Sequence, residues 1–445
     1  MRPIRREKTL AEKESIRIED ALPRPGEAKR PYTAADFDSD VDFARDDFDE
    51  GLDLADLDTE PMLVNIGPTH PATHGTFRVY CHLEGERIIR AGVDVGYLHR
   101  GFEKIVEIKD YTQVIPYTDR LNYCSGLTNN VAYCKAVERM LGIEVPERTQ
   151  YIRVIVMEIQ RIMDHMICVG ANIVDIGALT NFWYFFNARE RLNDVLESLT
   201  GARLTYSYTR VGGLAWDLPD GWREQVKATL KEIPKAIKDV RGLVAKNRIF
   251  QDRTMGVGVI SHEDAISYGW TGPCLRASGS DLDLRKVRPY YHYNEFDFDV
   301  PVGSNGDVYD RAMVRVAEME ESLRIVEQAI DRLPGGPINV DDKRVVLPPK
   351  DKVHTSMEAL INHFKLIIEG ICPPAGRVYD ATETPNGELG FYIISDGGGR
   401  PYRIKVRPPC FYLMNTLKYL IEGAMVADIV AILGGLNIIA GELDR

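Results

Sequence analysis

The chain has no two cysteines in a CxxC pair. Its seven cysteines, Cys81, Cys124, Cys134, Cys168, Cys274, Cys372 and Cys410, are scattered. That scatter argues against a disulfide framework, a Cys-ligated zinc site and an iron–sulfur cluster held by this chain alone. A phosphate loop (GxxxxGK followed by Ser or Thr) and a GxSxG nucleophile elbow are also missing. Gly256-Val257-Gly258 imitates the start of a dinucleotide fingerprint, but no buried strand precedes it. Basic residues are not in excess. The net charge is −12, whereas a nucleic-acid binder shows a basic patch or stripe. The most apolar run, Ala424 to Gly441, is interrupted by Asp428, Gly434, Gly435 and Asn437, and a membrane span needs about 20 mostly apolar residues. Arg2, Arg5 and Arg6 open the chain, but Glu7, Glu12, Glu14 and Glu19 follow with no apolar core. Such a start is neither a secretory leader nor an acid-poor transit peptide, so a cytosolic chain is expected.

What is present is enough for a large core: 445 residues, 44% of them hydrophobic. The negative charge is concentrated. Residues 1–60 hold 18 Asp/Glu against 10 Lys/Arg, twelve of the acids between Asp36 and Glu60 with Phe37, Phe43 and Phe48 among them. That composition predicts an acidic extension that docks on a partner rather than folding alone. Residues 61–445 read as the folded part, with a β-rich beginning (61–110), a helical bundle (111–380) and a hairpin with a helix (381–445).

The fold class expected is α+β, mostly helical. Tyr151 to Gly170 is apolar on nearly every face, the mark of a helix inside a large core. Trp183 to Leu199 reads as a helix stopped by Gly201, residues 307–333 as a long helix ended by Pro334-Gly335-Gly336-Pro337, and Ser356 to Ile368 as another closed by Gly370. Gly387 to Val406 alternates like a hairpin turning at Asp396-Gly397-Gly398-Gly399. An alternating βα pattern is absent, so no doubly wound nucleotide-binding sheet is expected.

The segment richest in chemistry is Gly67-Pro68-Thr69-His70-Pro71-Ala72-Thr73-His74-Gly75. Two of only nine histidines lie there, held by glycines and prolines at a predicted hairpin tip. Imidazole is the side chain whose ordinary pKa lies near neutrality. The loop supports a functional histidine, against the plainer reading of a loop histidine that hydrogen-bonds its neighbours. Four more segments stand out: Tyr97-Leu98-His99-Arg100-Gly101-Phe102-Glu103-Lys104, Asp119-Arg120-Leu121-Asn122-Tyr123, Asp175-Ile176-Gly177-Ala178-Leu179-Thr180, and Ser395 to Arg403.

Together with Leu275-Arg276-Ala277-Ser278-Gly279, Gly306 to Arg311, Thr355-Ser356-Met357-Glu358 and the closing Asp444-Arg445, these resemble the quinone-binding D-type subunit of respiratory complex I, the proton-translocating NADH:quinone oxidoreductase. The resemblance runs from about residue 62 to Arg445. It implies the fold of the NiFe hydrogenase large subunit without its nickel, since both CxxC pairs are missing and thiolates are the soft ligands nickel requires. It implies a quinone headgroup bound by His74 and Tyr123, with Asp175 partnering the histidine and His70 left to shape the loop. Arg100 would lie near a 4Fe–4S cluster held by the adjacent subunit, and this chain would hold no metal. The implied partners are the terminal iron–sulfur subunit, the 30 kDa-type (C-type) subunit and the quinone-channel membrane subunit. The implied location is peripheral, on the cytoplasmic face of the bacterial inner membrane. Two departures stand out. Thr205 replaces a histidine that many members place near that cluster, and Asn122 replaces an Asp before the tyrosine, which removes a negative charge from that position. The alternatives are the same fold served by another donor such as ferredoxin, and a non-catalytic scaffold.

Overall fold

The computed structural model describes residues 62–445; the acidic extension expected over residues 1–60 lies outside them. Three antiparallel strands open this part: β1 (Met62–Ile66), β2 (Arg78–Glu84) and β3 (Arg87–Asp94). Val79, Cys81 and Leu83 alternate inward along β2 and are buried, as period-2 patterning requires.

The helical body follows. Helix α1 (Gly126–Leu141) leads to α2 (Glu147–Asp175), α3 (Leu179–Thr200) and later α4 (Val308–Arg332). Gly201 ends α3 in the left-handed conformation (φ 75°), and Asp307 caps α4 by accepting from the Asp310 amide at 2.8 Å. The 29-residue α2 runs through the middle of this body, with Ile152, Ile155, Ile159, Ile162 and Met166 packed against α3 and α4. Helix α5 (Met357–Ile368) follows, capped by Ser356. A second sheet, β4 (Gly376–Thr384), β5 (Gly387–Ser395) and β6 (Arg403–Arg407), packs on α1. The chain ends in short helices, among them α6 (Pro409–Asn415), α7 (Asp428–Leu436) and α8 (Ala440–Asp444). The α+β class expected from the sequence is the one observed, and the predicted helices and hairpin are all present.

The two ends of the described chain share a core. Phe77, Val79, Cys81 and Ile88 pack with Leu413, Leu417, Ile432 and Leu443. Ile88 exchanges backbone hydrogen bonds with Ala424 (2.9 Å) and Gly423 (2.8 Å). Asp444 then accepts from the Gly96 amide at 3.0 Å and the Leu98 amide at 2.9 Å, while the Arg445 carbonyl accepts from the Arg100 and Phe102 amides. The motif at 97–104 and the last two residues are therefore one structural unit.

The apolar reading of α2 omits its polar residues, which are also buried: Arg153, Glu158, Arg161, Asp164 and His165. Most are neutralised in pairs. Glu158 meets Arg161 and Arg285 at 3.1 Å each, and Arg153 meets Glu138 at 2.7 Å. Arg276 bonds Glu318 at 2.7 Å and Glu383 at 2.8 Å, and Glu318 also holds His165 at 2.9 Å. Burial opposes ionisation of Glu318, but Arg276 outweighs it and holds the carboxyl well below its usual range. Removing one partner of such a cluster leaves uncompensated charge, at a cost of about 3–5 kcal/mol. Arg276→Met is therefore expected to lower unfolding stability by about that much, read by urea unfolding, whereas Arg324→Met, whose partners Asp297 and Asp299 are largely exposed, should change it by less than about 1 kcal/mol.

Candidate functional site

The loop between β1 and β2 gives its two histidines different tasks. His70 caps the short turn Pro71–Thr73, its Nδ1 accepting from the Ala72 amide at 3.2 Å. Thr73 is buried and its hydroxyl donates to the Pro68 and His70 carbonyls, both at 3.0 Å. Gly67 sits at φ 93°, and a Cβ there would come within 2.7 Å of the Phe77 carbonyl oxygen, so glycine is required. His74 follows with φ 51° and an exposed ring. The loop-shaping role read for His70 matches this geometry.

Asp175 is the last residue of α2, not the N-cap of α3; that cap is Ala178, which offers no side-chain bond. Its surroundings push its carboxyl pKa up through partial burial, and His74 first, then His70, pull it back down. The acid and the histidine loop therefore act on each other. Asp175 also sits at a helix C-terminus, which disfavours an anion.

Tyr123 begins a short turn, Tyr123–Ser125, that packs against α2. Its side chain is 42% exposed. Burial of the hydroxyl end pushes its pKa up to about 12, with Cys124, Asp164 and Cys410 adding to the rise, so the phenol keeps its proton and donates at neutral pH. Asn122 in front of it turns inward. Its Oδ1 accepts from the Cys124 amide at 3.0 Å and its Nδ2 donates to Asp164 Oδ2 at 2.8 Å. The negative charge missing at position 122 is thus not absent from the neighbourhood; it is carried by Asp164 on α2. An Asp at 122 would face a second carboxylate.

Arg100 does not pair with Glu103. Its Nη2 donates to the carbonyls of Arg120 and Gly441 at 2.8 Å each, while Glu103 accepts from Lys405 at 2.9 Å. Burial lowers the pKa of Arg100, and the nearby Arg120 adds to the fall. Thr205 lies in a loop of left-handed residues (Thr205 at φ 56°, Ser207 at φ 45°). That loop is anchored by Asp119, which accepts from the Ser207 amide at 3.0 Å and its hydroxyl at 2.7 Å. Burial pushes Asp119 up to about 6 against those two bonds. In the sequence Asp119 stands out only as part of a motif; nothing in the local pattern says that its carboxyl reaches a loop 88 residues on.

Two cavities lie elsewhere, one lined by Val340, Leu347, Ser356 and Asn362, the other by Pro301, Asp310 and Val314. His74, Tyr123 and Asp175 are each exposed; Asp175 is coupled to His74, whereas Tyr123 is coupled to Asp164 and Cys410. Among the described residues no three or more His, Cys, Asp or Glu side chains converge as a metal site, and no helix is long and apolar enough to cross a membrane.

Residues 175–445 match the family described as respiratory-chain NADH dehydrogenase, 49 Kd subunit. The chain is 54% identical over 389 residues to the C/D subunit of the NADH-quinone oxidoreductase of Bdellovibrio bacteriovorus, covering 87% of this chain and 70% of that one. It is 52% identical over 391 residues to the D-type subunit of the same enzyme from Myxococcus xanthus, covering 88% and 94%, and 51% identical over 388 residues to its counterpart in Pelobacter propionicus, covering 87% and 96%.

The Asn122–Asp164 contact yields a double-mutant test. Asn122→Asp alone is expected to destabilise by about 1–3 kcal/mol, because one of two buried carboxyls must stay protonated. A carboxyl whose folded pKa is raised contributes stability below its unfolded pKa that is lost as pH rises, so the penalty should grow from pH 5 to 8. The swap Asn122→Asp with Asp164→Asn restores one charge and one amide, and its urea midpoint should return close to the parent's.

Proposed function

Since the chain belongs to the 49 kDa, or D-type, family of subunits of the respiratory NADH:quinone oxidoreductase, complex I, we propose that His74, Tyr123 and Asp175 form its quinone headgroup site. Other complex I subunits are its partners. Reducing a quinone to a quinol takes two electrons and two protons. The electrons would come from a 4Fe–4S cluster of the neighbouring subunit. This chain's part is to hold the two carbonyl oxygens and manage protons at them.

The single observation that carries the reading is the electrostatic pairing of Asp175 with the exposed His74, an acid beside a ring whose N–H can donate to one quinone oxygen. Tyr123 supplies a protonated phenol for the other. Both donor bonds strengthen as negative charge develops on the oxygens, which is how a polar site favours the reduced headgroup. Arg100 is fixed by two carbonyls, with no carboxylate bonded to it among the described residues; a cation so held would raise the potential of a cluster beside it in the partner.

The openness of the site supports partner subunits that close it: the terminal iron–sulfur subunit on the Arg100 side and the quinone-channel membrane subunit around the headgroup. Helix α5 supports docking too. Met357, Leu360, Ile361, Phe364, Ile367 and Ile368 are all at least half exposed, an apolar surface of the sort that marks an interface. The Bdellovibrio relative joins the C and D designations in one chain, which favours a C-type subunit beside this one. Peripheral association with the cytoplasmic face of the membrane follows from that placement.

Tyr123→Phe is expected to lower NADH:quinone reductase activity of membranes at least about tenfold, some 1.4 kcal/mol of transition-state stabilisation, with NADH:ferricyanide reduction retained. If quinone reduction survives unchanged, the headgroup assignment fails. Because Thr205 cannot titrate near neutrality, the midpoint potential of the partner's cluster should shift by far less than about 59 mV per pH unit, the slope of one proton per electron. Redox titrations at pH 6 and 8 measure this, and Thr205→His should steepen the slope.

A further inference from the structure

Glu138, Glu158, Asp283, Glu318 and Glu383 are buried carboxylates, and each touches an arginine. Glu442 is buried as deeply, 1% exposed, and among the described residues it touches none. Groups from α2, α6, the β4–β5 turn and the end of α7 pack around it. From α6 the Cys410 thiol donates to its Oε2 at 3.2 Å. Its Oε1 has no hydrogen-bond partner among the described residues. From α2 comes Asp164, a second acid, which accepts from Asn437 Nδ2 at 3.1 Å and Asn122 Nδ2 at 2.8 Å. Asn386 of the β4–β5 turn bonds Cys410 at 3.3 Å and its Oδ1 accepts from Asn437 at 2.6 Å. Arg315 of α4 feels the charge of Asp164 but donates to the Gly435 carbonyl at 2.7 Å. On its own element, Asp444 is turned to the Gly96 and Leu98 amides and Arg445 reaches the Val406 carbonyl, while Arg100 donates from outside to the Gly441 and Arg120 carbonyls. Two carboxyls thus share a wall of amides and a thiol, and among the described residues no cation is bonded to either. Burial without a cation favours the neutral form of Glu442.

We propose that Glu442 is a proton-holding residue behind the headgroup tyrosine, exchanging one proton with solvent and acting on Tyr123 through the Asp164–Asn122 contact. The proposal rests on the quinone reading only for its link to turnover. Burial pushes Glu442 up to about 7; the Cys410 thiol bond pulls it down and the charge of Asp164 pushes it further up. At neutral pH the carboxyl is therefore poised between its two states. Asp164 and Cys410 also act on the Tyr123 hydroxyl, so charge on the headgroup side and the proton on Glu442 are felt through the same groups. As negative charge develops on a quinone oxygen at Tyr123, the proton affinity of Glu442 rises, and a proton taken up there offsets the charge.

The test is infrared pH-difference spectroscopy on the intact resting complex without added quinone. A protonated-carboxyl C=O stretch should titrate with a midpoint near 7, vanish in Glu442→Gln and persist in Glu442→Asp. Cys410→Ala removes the donor that lowers the pKa, so the midpoint should move up; this variant serves if the Gln substitution does not assemble. A band unchanged in Glu442→Gln, or a midpoint unmoved in Cys410→Ala, overturns the proposal. In turnover, Glu442→Gln should flatten the neutral limb of the quinone-reductase pH profile while leaving ferricyanide reduction intact; a profile identical to the parent's overturns the link to Tyr123. The resting titration needs no quinone chemistry. If Tyr123→Phe keeps full activity while the band still titrates, the headgroup reading alone has failed.

Discussion

The end of the chain is the constraint on which the site depends. Asp444 spends its carboxylate on two backbone amides of residues 96–98, and the Arg445 carbonyl takes two more at 100 and 102. These are charge-assisted bonds in a mostly buried place, and an amide left unpaired there would cost about 1–3 kcal/mol. The clamp fixes the Arg100 loop and the short helix α8 in one act. Because α8 also carries Gly441, whose carbonyl receives Arg100, and Glu442, which faces Asp164, closing the chain sets both the cationic edge of the site and the acid behind it.

The interior handles charge in two ways. Around α4 and the far side of α2, arginines and carboxylates alternate so closely that ionisation is secured by Coulomb attraction. That arrangement specifies which helix faces meet, since an out-of-register packing would bury unpaired charge. Near Tyr123 the bonded cations stop. Asp119, Asp164 and Glu442 are held by hydroxyl, amide and thiol donors instead. Donors of that kind orient a carboxyl without pinning its protonation state, whereas an arginine pins it. The change in chemistry within one fold separates a scaffold that must not titrate from a region that can.

Much of this was legible in the sequence because it is local. The buried helix at 151–170, the stop at Gly201, the Pro-Gly break after α4 and the hairpin at 387–406 are set by residues within a few positions of each other, and the HPxTH loop announced its own constraint through its glycines and prolines. What was not legible depends on long-range pairing. Asp119 reaches Ser207, Arg100 reaches Gly441, and Asn122 borrows the charge of Asp164. Strand β4 was missed because its second half is polar yet buried on both faces: Asp380 and Glu383 meet Lys135 and Arg276 from distant segments, with Thr382 and Thr384 buried between and beside them. A period-2 pattern fails as a signal when both faces are covered and the acids are satisfied by salt bridges.

The site's openness then has an electrostatic consequence. An imidazole–carboxylate pair such as His74 with Asp175 is weak in water, because solvent screens it, and grows several-fold stronger once water is excluded. Asp175 feels His74 already at the uncovered surface. Any partner that covers His74 and Asp175 would raise the pair's strength without changing its geometry, and would confine the proposed headgroup donors to whatever enters between the two proteins. The chain thus supplies orientation, through the His70 turn, the Asn122 cap and the C-terminal clamp, while the dielectric that gives those donors their force must come from the surface that closes over them.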